Sequence, residues 1–141
     1  MKRFLLLMFF FTTTLPNWAQ DVRSIDSLEQ TVASLEGMEK ASVLYDLVNY
    51  YLRADREKAK YFVSEMASLT ENESDLGLQS YGLLVKGIYL SRNGKIDSAV
   101  IVLENSRLAA IESNNERALI RVNAALAHTY ISSGRPARGL E

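Results

Sequence analysis

Residues 87–99 read Gly-Ile-Tyr-Leu-Ser-Arg-Asn-Gly-Lys-Ile-Asp-Ser-Ala, with a glycine between two apolar segments. Gly94 suits a tight turn, because glycine adopts a left-handed backbone at little cost. Large apolar residues recur at helical spacing before and after the turn. Gly87 and Ala99 are small, and two antiparallel helices joined by a short turn pack closely only where side chains are small. The stretch therefore predicts a closely packed pair of helices.

The same order of small and large residues recurs at a constant spacing along the chain. The recurring sets are Leu47, Gly87 and Ala127; Tyr50, Leu90 and Tyr130; Ala54, Gly94 and Gly134; and Ala59, Ala99 and Gly139. No segment alternates with the period of two that a strand would show. We therefore predict an all-α fold, an α-α superhelix of antiparallel helix pairs with a repeat of about 40 residues. The residues expected to pack in the repeats are Leu47, Tyr50, Ala59, Gly87, Gly94, Ala99, Ala127, Tyr130 and Gly134.

Polar residues stand at the breaks between the apolar segments. Asp55 can cap a helix that begins at Arg56, because its carboxylate can accept a hydrogen bond from an unpaired backbone N–H group. The next unit can be capped by Ser74 or Asp75, and the third by Asn114 or Asn115. These breaks predict where the helix at Arg56 begins and where the second and third units begin.

Residues 1–20 have the layout of a secretory signal peptide. Lys2 and Arg3 precede an unbroken apolar run over residues 4–11, and Pro16 and Ala19 follow it. The run is too short to span a membrane, which takes about 18 or more apolar residues. We predict cleavage after Ala19 or Gln20 and export to the periplasm or cell envelope of a bacterium.

The remainder divides into a capping helix and repeats. Residues 21–38 are predicted to form an N-terminal capping helix, with Ser24 as its possible cap and Gly37 at its end. It is expected to bury one apolar face, formed by Ile25, Leu28, Val32 and Leu35. Residues 39–141 are predicted to hold the repeats 39–78, 79–118 and 119–141, the last of them incomplete. Because repeat stacks normally finish with a polar capping helix, we expect the chain to be a fragment of a longer exported protein.

The repeat pattern resembles the tetratricopeptide (TPR) family. Unit two, over residues 87–103, reads Gly87-x-x-Leu90, then Gly94, Ala99 and Leu103, which is the order of small, large, glycine, alanine and apolar residues in that family. Unit one departs from it with Leu47 in the first small position. The usual TPR period is about 34 residues, and HEAT-like repeats, with a period of about 40 residues, are the structural alternative.

The resemblance implies a concave surface, lined by the first helices, that binds a protein or peptide. The positions expected to face this groove are Leu44, Val48, Tyr51, Tyr81, Leu84, Ile88, Arg92, Arg121, Ala124 and His128. The likeness extends to the extracytoplasmic input regions of bacterial sensor histidine kinases. The alternative function is therefore the sensory segment of a membrane-linked kinase or transcriptional regulator whose output domain is absent from this chain.

The amino-acid composition disfavours several classes of catalytic and binding site. The chain has no cysteine and one histidine, His128, so thiol chemistry and histidine-rich metal sites are excluded. Its 16 basic and 17 acidic residues give a net charge of −1, which disfavours nucleic acid. We therefore expect no enzymatic activity, no cofactor, no metal, no nucleic acid and no membrane span in this chain.

Overall fold

The computed structural model describes residues 18–134, which form six α-helices joined by short turns, and this part of the chain contains no strand. The helices are α1 (Trp18–Val32), α2 (Gly37–Ala54), α3 (Arg56–Thr70), α4 (Leu76–Arg92), α5 (Ile96–Glu112) and α6 (Glu116–Ser132). The prediction of an all-α fold is confirmed. Residues 1–17 of the predicted signal peptide and residues 135–141 of the third unit lie outside the described residues.

Side-chain caps begin three of the helices. The carboxylate of Asp55 accepts hydrogen bonds from the backbone N–H groups two and three residues on, at 3.0 and 3.1 Å, which confirms it as the cap of α3. Asp75 caps α4 with a bond of 3.1 Å, and Asn115 caps α6 with one of 3.0 Å. The structure thus selects Asp75 over Ser74 and Asn115 over Asn114.

Glycine turns the chain after α4 and after α6, as predicted. Gly94 has φ +76° and Gly134 has φ +73°, both in the left-handed region where a side chain would be strained. In each turn the glycine N–H donates to the carbonyl three residues before it, at 3.0 Å for Gly94 and 3.1 Å for Gly134. The turns of units two and three therefore have the same local geometry.

The first helix of the structure has other bounds than the predicted capping helix at residues 21–38. Helix α1 begins at Trp18 and runs through Ser24, so Ser24 does not begin it, and the helix also crosses both predicted cleavage bonds. It ends at Val32 because Ser34 donates its backbone N–H and its hydroxyl to the carbonyl of Thr31, at 3.0 and 2.8 Å, closing a tight turn. Gly37 is the first residue of α2 rather than the end of α1.

Helix α4 is the centre of the packing, because it contacts α2, α3, α5 and α6. One apolar cluster lies mainly among α2, α3 and α4, and a second joins α4 to α5 and α6. Helices α2 and α6 have no backbone contact with each other, since both rest on α4. The predicted unit bounds at 78/79 and 118/119 fall inside α4 and α6, which begin at their caps.

Most of the predicted packing residues are buried. Leu47, Ala59 and Ala99 are fully buried, and Gly87 is buried against Leu103 of α5. Ala127 and Tyr130 are half-buried. Tyr50 instead is 37% exposed, because its neighbour Tyr51 takes the interior position and stacks on Phe62 with ring centroids 5.7 Å apart.

Candidate binding surface across α2, α4 and α6

The first helices of the three predicted units, α2, α4 and α6, together line one small pocket of about 170 Å³. Its lining residues are Tyr45, Asn49 and Arg53 from α2, Ile88, Ser91 and Arg92 from α4, and Ala124, Ala125, His128 and Thr129 from α6. A shallower hollow of about 560 Å³ adjoins it along α2 and shares Tyr45, Asn49 and Arg53 with it. The surface is therefore built from three separate segments of the chain.

The pocket carries positive charge that is unpaired within residues 18–134. Arg53 and Arg92 are exposed, and neither forms an ion pair with a described residue. No Asp or Glu is among the residues that line the pocket, and His128 stands exposed on its α6 side. Two unpaired guanidinium groups next to a small polar cleft form a site that can accept an anionic group.

Hydrogen bonds fix the polar lining of the pocket. Thr129 Oγ1 lies 3.0 Å from Ser91 Oγ, which ties α6 to α4, and it lies 2.8 Å from the carbonyl of Ala125. The Asn49 amide donates to the carbonyl of Tyr45 at 3.1 Å. The pocket lining is therefore held in place by the protein itself, while the arginines at its edge have no ionic partner in the described part of the chain.

Arg121 of α6 does not line the pocket, and its guanidinium group forms hydrogen bonds within the protein. One guanidinium nitrogen donates to Ser42 Oγ and to Tyr81 Oη, both at 3.1 Å, and the other donates to Asp46 Oδ1 at 3.2 Å. The guanidinium carbon also lies 4.2 Å from the centroid of the Tyr45 ring, in the geometry of a cation–π contact. The side chain of Arg121, predicted to face a partner, is consequently turned into an intramolecular site and is 20% exposed.

Burial shapes the electrostatics of this cluster. It raises the pKa of the Asp46 carboxyl above its ordinary value of 3.8, and the positive charges of Arg121 and Arg117 only partly offset the effect. Burial also raises the pKa of the Tyr45 hydroxyl above its ordinary value of 10.0. Partial desolvation thus disfavours the ionised form of the half-buried Asp46 carboxyl, and the positive charge of Arg121 offsets part of this effect.

The structure brings together only part of the predicted groove. Arg92, Ile88, Ala124 and His128 line the pocket. Tyr81 is 1% exposed, and its hydroxyl accepts a hydrogen bond from Arg121. The remaining predicted residues are buried between helices: Leu44, Val48, Tyr51 and Leu84.

Tyr51 lies away from the pocket and joins α2 to α3 and α1. Its ring stacks on Phe62, and its hydroxyl accepts a hydrogen bond of 3.2 Å from Lys58, which in turn pairs with Glu29 of α1 at 2.9 Å. The ammonium group of Lys58 on α3 therefore forms an ion pair that links α3 to α1. Tyr51 has a structural role in the described part of the chain.

Six residues of the pocket lining are absent from the predicted groove: Tyr45, Asn49 and Arg53 on α2, Ser91 on α4, and Ala125 and Thr129 on α6. Tyr45, Asn49 and Arg53 follow one another at intervals of four along α2, immediately beside the stripe of core positions. The sequence contains a pattern that could have identified these three residues of α2, since residues spaced by four share one face of a helix. The apolar pattern instead favoured the neighbouring residues Leu44, Val48 and Tyr51, which are buried in the core.

Comparison of the chain with protein-family models, with curated proteins and with solved structures found no match. Within residues 18–134, no group of three His, Cys, Asp or Glu side chains is placed to hold a metal ion. In the same range, no helix has the length and apolar character needed to cross a membrane. What the surface can bind therefore follows from its own geometry and charge.

Proposed function

We propose that this chain is an exported, TPR-like helical scaffold that binds a protein or peptide through the surface of α2, α4 and α6. Helices α2, α4 and α6 begin at positions 37, 76 and 116, and α3 and α5 begin at 56 and 96, which supports a repeat of about 40 residues. Export is supported by the signal-like pattern of residues 1–20. Binding is supported by one observation above all, the pocket in which Arg53 and Arg92 have no acidic partner among the described residues.

The chemistry of the pocket favours an acidic segment of the partner. An arginine fork holds a carboxylate with two parallel hydrogen bonds, and arginine is enriched among residues that dominate binding energy. The adjoining hollow of about 560 Å³ along α2 can hold the neighbouring part of a peptide, and the pocket itself, at about 170 Å³, has room for one side chain. It therefore suits one Asp or Glu side chain of a peptide that lies across the three helices, with Ile88 and Tyr45 offering apolar contact.

The test is a selection of random 12-residue peptides on the purified chain without residues 1–20, followed by affinity measurements. We expect the retained peptides to be enriched in Asp and Glu. The double variant R53Q/R92Q should weaken their binding by roughly tenfold or more, since a hydrogen bond to a charged group contributes about 1.5–3 kcal/mol and about 1.4 kcal/mol is a factor of ten.

Lys86→Gln is the matched control, because Lys86 is exposed on α4 and lines a different groove, between α3 and α4. It removes a positive charge and should leave the affinity unchanged. A folded helical sample that retains no peptide, or a double variant that binds as tightly as the wild type, would refute the proposal. The sensory-segment alternative stays a prediction.

A further inference from the structure

Helices α2 and α6 face each other across the binding surface without touching through their backbones. The side chain of Arg121 crosses this gap from α6 and donates to Ser42 and Asp46 of α2. The one other hydrogen bond between α2 and α6 or its cap, within residues 18–134, is a weak contact of 3.6 Å between the Asn115 amide and the sulfur of Met38. The relative position of the two helices therefore depends on Arg121 and on their separate packing against α4.

Tyr45 connects this bridge to the pocket. Its ring carries the Arg121 guanidinium at 4.2 Å and meets the Tyr81 ring edge-on, with centroids 6.3 Å apart. The same side chain lines the pocket beside Arg53. Any movement of Arg121 therefore removes a support of one wall of the pocket.

We propose that Arg121 is a strap that holds α6 against α2 and thereby sets the width of the pocket. Arginine suits this role because its planar group can stack on Tyr45 while its five N–H donors reach Ser42, Asp46 and Tyr81 at the same time. A lysine ammonium has the charge without the flat face or the fork. The effect on ligand binding rests on the proposed function, whereas the effect on the pocket width does not.

The absence of cysteine from the sequence makes a direct distance measurement possible. Ala54→Cys at the end of α2 and Asn123→Cys on α6 place spin labels at two exposed positions outside the Arg121 cluster. Pulsed electron paramagnetic resonance then reports the distribution of distances between the two helices. We expect one narrow distribution in the otherwise unchanged chain, and its loss in Arg121→Gln, with longer distances added. Arg121→Lys should lie between the two.

Lys86→Gln is the control, because Lys86 is exposed on α4, lines the groove between α3 and α4 and forms no ion pair with a described residue. It should leave the distribution unchanged. An unchanged distribution in Arg121→Gln would overturn the proposal. If circular dichroism shows that Arg121→Gln does not fold, Asp46→Asn, which weakens the strap from the α2 side, decides in the same way.

The second readout is the affinity for an acidic peptide selected as described above. We expect Arg121→Gln to weaken it by roughly tenfold, within the range typical of coupling between sites. A changed distance with unchanged affinity would refute the link to the pocket. If no peptide is retained by the wild type, the proposed function fails while the distance measurement still decides whether the strap exists.

Discussion

Replacing Gly87 with alanine tests the closest approach between α4 and α5. A Cβ atom at position 87 would lie 2.5 Å from Leu103 Cγ and 2.6 Å from its Cδ2, far inside the normal contact of about 3.5–4.0 Å between carbon atoms. Leu103 is fully buried, so its side chain cannot move aside into solvent. The added methyl group must therefore push α5 away from α4 or force Leu103 out of its rotamer.

Two opposing effects determine the size of the change. Overpacking of a well-packed core typically costs about 1–3 kcal/mol. Alanine is favoured over glycine inside a helix by about 1 kcal/mol. We therefore expect Gly87→Ala to lower the free energy of unfolding by up to about 2 kcal/mol. In a Leu103→Ala background the obstructing atoms are gone, so the same substitution should raise it by about 1 kcal/mol.

The assay is urea denaturation of the four proteins in this cycle, followed by the helical signal in circular dichroism. The decisive quantity is the effect of Gly87→Ala in each background, because Leu103→Ala alone is expected to cost about 2–5 kcal/mol. A reversal of sign between the backgrounds confirms the clash. An equal loss in both backgrounds would refute the reasoning, since the cost could not then come from contact with Leu103.

Two further perturbations test other parts of the structure. Asp55→Ala should lower the free energy of unfolding by about 1 kcal/mol in urea denaturation, because it removes the acceptor at the start of α3, whereas Asp55→Asn keeps an acceptor and should cost less; equal losses would contradict the capping role. Hydrogen bonds from Tyr51 and Lys58 hold the pKa of Glu29 below its ordinary value of 4.5, so their stabilisation is present above pH 4.5 and is lost as the pH falls through the lower folded value. Thermal denaturation between about pH 6 and pH 3 should therefore show less acid sensitivity in Glu29→Gln than in the wild type, and parallel curves would exclude this contribution.

Local sequence signals predicted the helices well where a cap or a turn is chemically distinctive. Asp55 begins α3 because a carboxylate can accept from the free N–H groups of a first turn, and Gly94 turns the chain because glycine tolerates positive φ. The start of α1 was missed, since Ser24 looks like a cap but lies inside a helix that begins at Trp18. Serine occurs both at helix caps and inside helices, so the residue type alone does not show where a helix begins.

The candidate binding surface was only partly predictable from the sequence. Arg92 and His128 were placed on it from the repeat, and both line the pocket. Tyr51 was placed there too, but α2 is rotated so that Tyr51 meets α3 and Tyr45 meets the pocket. Moving one residue along a helix leads to the neighbouring face, so small rotations of α2 change which residues are buried. The apolar pattern alone does not show whether Tyr45 or Tyr51 packs into the core.

The residues alone indicate that this chain forms helices in a regular series and near which positions α3, α4 and α6 begin. They also show that the chain holds no cysteine and one histidine. These are local properties, since caps, glycine turns and apolar spacing act within a few residues. The tertiary structure is needed to show that Arg53 and Arg92 line one pocket and pair with no described acidic residue. It also shows that Arg121 forms a hydrogen bond with Asp46, which is distant in sequence. The reason is physical: whether a charge is free or satisfied depends on what lies within a few ångströms of it, and packing around α4 determines those neighbours.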